Sequence, residues 1–139
     1  MVYYIQTTKP TEGEPIMNDN QIREFLLKAE NQAAVKITGV EINDLIPIIR
    51  DNIERKGVPT DAADQEKAMQ KLLFDILVDT LVDFYAEPHL TLTDAQAKIA
   101  YKWAKDEALD IFTNHAVSAE DHIARIKENG KNLFRDTNA

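Results

Sequence analysis

Four carboxylates, Asp75, Asp79, Asp83 and Glu87, recur every four residues along the most apolar helical stretch of the chain. A helix turns about 100° and rises about 1.5 Å per residue, so a four-residue step rotates by only ~40° and climbs ~6 Å. The four acids therefore form one slowly winding stripe. Such a stripe suits a basic protein partner or a divalent cation, and it resembles the charge ladder of a nucleic-acid backbone. Its cost is like-charge repulsion of a few tenths of a kcal/mol per step. An ordinary structural reading stands beside these: Lys67 and Lys71 precede Asp75 in the same register, and Lys98, Lys102 and Lys105 offer a basic stripe on the next helix. In a simple hairpin the two stripes make surface salt bridges worth about 0–1 kcal/mol each.

Metal-dependent chemistry would need a second set of acids. Glu107 and Asp110 supply one ExxD pair, as in all-helical, Mg²⁺-dependent nucleotide pyrophosphohydrolases, where carboxylates of two helices surround the metal. The dense glutamate set expected on the facing helix is missing, since the stripe has single aspartates. His115 and His122 flank a predicted turn, with Asp121 beside the second, and a metal bridging that turn is a further candidate. A helix-terminal His stabilised by the helix dipole is the competing reading. Neither HExxH nor ExxH occurs. His89 is expected in a turn. The only serine, Ser118, is accounted for as a helix cap, which argues against Ser-His-Asp catalysis.

Composition removes other classes. No cysteine is present, which excludes disulfides, zinc ribbons, iron–sulfur clusters and thiol catalysis. Gly13, Gly39, Gly57 and Gly130 are too dispersed for a phosphate-binding loop, so no nucleotide cofactor is expected. Residues 1–97 carry 9 Lys/Arg against 17 Asp/Glu, a net of −8, and residues 98–139 carry 7 of each, a net of zero. This asymmetry argues against direct nucleic-acid binding and against anionic membranes. Tyr101 and Trp103 lie among Lys98, Lys102 and Lys105, but Asp106, Glu107 and Asp110 follow on the same segment. A helix-turn-helix over residues 93–134 would place mixed charge in the groove. No apolar run approaches the ~20 residues of a membrane span, and Met1 to Thr11 lacks the features of a signal peptide, so a cytoplasmic location is expected.

The elements that position these residues are helices. With 139 residues the chain fits one domain, read as an N-terminal arm (1–17) followed by a helical domain (18–136). Val2 to Gln6 suits a short strand, and Val35 to Ile42, through the alternation Val35, Ile37, Gly39, suits another. Together they would make a two-stranded ribbon. Five helices are expected. The first is capped by Asn18 or Asp19 and runs to Ala34. The second is capped by Asn43 or Asp44, with Pro47 in its first turn and a stop at Gly57. The third begins at Thr60 or Asp61 and, through Met69, Leu73, Leu77, Leu81 and Phe84, is the central core helix. The fourth opens on a Thr93–Gln96 capping box and runs to about His115, with Ala97, Ala100, Ala104 and Ala108 as a small-residue face. The last runs from Ser118 to about Arg135, with Gly130 as a weak point.

The reading is a mainly α single domain acting by binding, as a regulatory or assembly factor. Asp75, Asp79, Asp83 and Glu87 meet a protein partner, and the chain self-associates as a homodimer. The alternatives are an Mg²⁺-dependent hydrolase built on Glu107 and Asp110, and an acidic decoy of a nucleic-acid-binding protein.

Overall fold

The computed structural model describes residues 17–138, with side chains as far as Leu133; the arm's predicted strand lies outside the described residues. Six α-helices follow one another: α1 (Asp19–Leu27), α2 (Gln32–Thr38), α3 (Ile42–Lys56), α4 (Ala62–Ala86), α5 (Asp94–Thr113) and α6 (Ala119–Asn138). A 3-10 turn, Ala29–Asn31, joins α1 to α2, and there is no strand among the described residues.

The single first helix expected to Ala34 is instead two. Lys28 adopts ψ of 140°, which ends α1, and the carbonyls this exposes are taken up by side-chain amides further on. Asn31 Nδ2 donates to Phe25 O and Gln32 Nε2 to Leu26 O, both at 2.8 Å. The expected strand at Val35 to Ile42 is also overturned. Its first part is α2, in which Ala34, Val35 and Ile37 are all buried, and Gly39 closes that helix at φ 71°. Burying these side chains against α4 outweighs their β-branched preference for extended backbone.

α3 starts earlier than expected. Glu41 holds the N-cap position without a side-chain cap, its carbonyl accepting from Asp44 N and Leu45 N, both at 2.9 Å. Pro47 thereby falls in the second turn, where its missing N–H leaves the Asn43 carbonyl without a helical donor. Leu45, Ile46, Ile49 and Ile53 are buried nonetheless. Gly57, at φ 98°, ends the helix as expected.

The other caps follow the sequence. Asn18 Oδ1 accepts from Gln21 N at 2.8 Å and Asp61 Oδ1 from Ala63 N at 2.7 Å. The Thr93–Gln96 capping box closes in both directions, and Ser118 Oγ accepts from Asp121 N at 3.1 Å. α4 is the central helix and packs against each of the other five. Its Met69, Leu73, Leu77, Val78, Leu81 and Tyr85 meet the inner faces of the rest. On α5, Ala100, Ala104 and Ala108 are fully buried, whereas Ala97 is exposed.

Gly130, expected to weaken α6, is required there. A Cβ at this position would lie 2.9 Å from the Tyr85 carbonyl oxygen and 3.2 Å from Tyr85 Cα, so α4 and α6 cross with their backbones nearly touching. His89, in the turn after α4, adds a 3.0 Å hydrogen bond from Nε2 to Gly130 O. No helix among the described residues is long and apolar enough to cross a membrane.

Candidate functional site

α4 presents Asp75, Asp79, Asp83 and Glu87 to solvent, as the four-residue spacing requires. The anticipated match with α5 does not form. Lys98, Lys102 and Lys105 are exposed and pair with none of the four acids, and Lys105 Nζ instead lies 4.7 Å above the Tyr101 ring. The hairpin brings the apolar faces of α4 and α5 together and turns both charged faces outward. Two acids find other cations: Lys71 Nζ is 3.4 Å from Asp75 Oδ2, and Lys127 Nζ, from α6, is 3.8 Å from Glu87 Oε2. Asp79 and Asp83 make no ion pair among the described residues. Both existing pairs are half-exposed and are worth about 0–1 kcal/mol.

A second constellation forms between α5 and α6. The turn from Asn114 to Ser118 sends α6 back antiparallel to α5, which sets His122 beside Glu107 and Arg125 one turn further on. His122 Nδ1 lies 2.7 Å from Glu107 Oε2 and 3.8 Å from Asp110 Oδ2, and the whole His122 side chain is buried. Arg125 Nη2 lies 2.5 Å from Glu107 Oε2, 2.8 Å from Asp110 Oδ2 and 3.1 Å from His122 Nδ1. The Glu107 carboxylate, and behind it Asp110, hold the Arg125 guanidinium above its ordinary range. Glu107, Asp110 and His122 each offer a ligand-type atom, all within 4.8 Å of one another.

This pairing unites two features that the sequence presents separately, the ExxD pair and a histidine of the α5–α6 turn. His115 and Asp121 are not in the group. His115 Nε2 meets Phe112 O of its own helix end at 2.9 Å, and Asp121 is exposed in the first turn of α6. Nor does any α4 carboxylate join Glu107 and Asp110; the counterpart is α6. The signal for that choice is the near-symmetry of 107 and 122 about the 114–118 turn, legible only once an antiparallel hairpin is assumed.

The constellation opens on a cleft of about 500 Å³ lined by Tyr85, Trp103, Asp106, Glu107, Asp110 and Arg125, with Asn129 and Asn132 on the α6 side. Tyr85 closes its floor, with its ring edge-on to Trp103 at 5.7 Å between centroids and its hydroxyl hydrogen-bonded to Asn129. Burial, reinforced by the negative charge of Glu107, pushes the Tyr85 phenol well above its ordinary value. Three carboxylates thus face one guanidinium, leaving the cleft with excess negative charge. Comparison with protein-family models, with curated proteins and with solved structures finds no match to this chain.

Proposed function

We propose that this protein is a non-enzymatic binding module whose α4 acidic face engages a basic protein partner. The observation that carries the reading is that Asp79 and Asp83 stand exposed at the middle of the stripe with no cation beside them among the described residues. Two carboxylates ~6 Å apart on a rigid helix are pre-spaced for successive Lys or Arg side chains of an extended or helical partner. Their rigidity comes from the opposite face of α4, which packs on every other helix. A second copy of the chain is a further partner, favoured by Leu109, 60% exposed beside the Phe74–Phe112 pair stacked at 6.2 Å.

The test is retention of proteins from a cell extract on the immobilised chain, compared with an Asp79→Lys/Asp83→Lys variant at low and high salt. A basic polypeptide held by the native chain, released by salt and lost from the variant is the expected result. Equal retention by both chains overturns the acidic-face reading. Light scattering decides the homodimer separately, with a mass twice that of the chain expected and a monomer overturning it.

A further inference from the structure

Arg125 Nη2 occupies an unusual position, because it is the shared neighbour of a carboxylate oxygen of Glu107, one of Asp110 and the Nδ1 of His122. Three of the four contacts around it can be hydrogen bonds at once, and the Nη2–Nδ1 contact is the one left out when Nδ1 donates. A guanidinium only donates and a carboxylate only accepts, so Nδ1 has to choose. Protonated, it donates to Glu107 at 2.7 Å and only touches Nη2 at 3.1 Å, whose two hydrogens go to Glu107 and Asp110. Bare, it accepts from Arg125 but sets its lone pair against the Glu107 oxygen.

A cation without hydrogens can take all three atoms as ligands at once. We propose that Glu107, Asp110 and His122 form a site for a divalent transition-metal ion of the zinc class, which takes the place of the Arg125 guanidinium. Bonds of ~2.0–2.2 Å to a tetrahedral ion put ligand atoms ~3.3–3.6 Å apart. The His122–Glu107 and His122–Asp110 separations, 2.7 and 3.8 Å, bracket that spacing, and the Glu107–Asp110 pair lies within 4.8 Å, so side-chain shifts of about 1 Å bring the three together. One imidazole with two carboxylates suits zinc, cobalt, nickel or manganese, whereas calcium and magnesium favour all-oxygen sets.

The surroundings permit the exchange. The Arg125 side chain is 45% exposed and lies at the cleft wall, so it can swing into water without disturbing the core. Its departure leaves Asp106, Glu107 and Asp110 around the cleft, and a doubly charged ion balances them better than a guanidinium does. Binding through Nδ1 moves the imidazole proton to Nε2. That atom is buried with no hydrogen-bond partner among the described residues, so the shift breaks no bond there and leaves the new N–H without an acceptor. The site is separate from the α4 acidic face, and the two proposals stand or fall independently.

The test is thermal melting and titration calorimetry of the full chain with ZnCl₂, together with the visible absorption of added Co²⁺. Sub-millimolar Zn²⁺ is expected to raise the melting temperature. Asp110→Asn and His122→Gln each weaken binding by at least ~10-fold, a loss usual even for groups one step removed from a metal. Arg125→Met strengthens it, because the competing cation is gone, whereas Asp79→Asn leaves it unchanged. Asp110 is only partly buried, so its variant keeps the test decisive should His122→Gln fail to fold. Absence of any melting shift in both the native chain and Arg125→Met at millimolar metal overturns the proposal. So does binding that survives Asp110→Asn but is lost in Asp79→Asn, which would place the ion on α4.

Discussion

Tyr85 shows how one side chain ties local chemistry to stability. Its phenol is buried, edge-on to Trp103; burial and the charges of Glu107 and Asp106 favour the neutral form and outweigh Arg125 and the Asn129 hydrogen bond, which oppose it. Its proton is therefore held more tightly in the folded chain than in the unfolded one, where an ordinary tyrosine ionises near pH ~10. The resulting stabilisation is fully present below pH ~10 and is lost as the pH rises above it, because the unfolded chain then gives up the proton first. Tyr85→Phe is expected to cost about 1 kcal/mol at neutral pH through the lost hydrogen bond. Its disadvantage should shrink steadily between pH 9 and 11. Melting curves of both chains across that range check this, and a constant difference would refute it. Glu107 and His122 are each visible in the sequence as a residue type, yet neither reveals its partner, because contact follows from helix register across a turn.

At the scale of elements, the α4–α6 crossing sets intrinsic preference against space. Replacing Gly130 by Ala should stabilise an isolated helix by about 1 kcal/mol. In this fold the added methyl group meets Tyr85 backbone at 2.9 Å, and overpacking of this kind costs about 1–3 kcal/mol. Backbone does not yield as a flexible side chain would, so Gly130→Ala is expected to lower stability in denaturant titration; a gain would mean that the two helices separate at little cost. The same contest explains which elements were legible. Caps at Asn18, Asp61, Thr93 and Ser118 and the stop at Gly57 were readable because each is settled by a side chain or a φ angle within a few residues. The α4 core face was readable from its period. The break at Lys28 and the helix at Gln32–Thr38 were not, since one depends on amides of Asn31 and Gln32 folding back and the other on burial against α4. Gly130 read as a flaw for the same reason: the neighbour that needs it is 45 residues away in the chain.

For the molecule as a whole, the decisive quantity is charge and its placement. The net of −8 lies upstream of residue 98, and the middle of the α4 stripe has no cation beside it among the described residues. Acids ~6 Å apart fall within the Debye length of ~8 Å at 0.15 M ionic strength, so repulsion along the helix is only partly screened there. Raising salt from a few millimolar to that strength is expected to raise the melting temperature. Asp79→Asn/Asp83→Asn should gain about 0.2–0.5 kcal/mol per relieved pair and flatten the salt response. A double variant that is less stable than the native chain at low salt would show that the stripe is compensated within the fold.

Arg125 has one further consequence. A cation carried on the chain itself is present at an effective concentration that no dilution lowers. The fold thus brings its own counter-charge to Glu107 and Asp110. Dialysis against a chelator should leave the molecule folded, in contrast to small zinc-dependent domains that come apart without metal. A free ion enters only by outcompeting a tethered one, so the arginine sets the concentration below which the molecule does not respond.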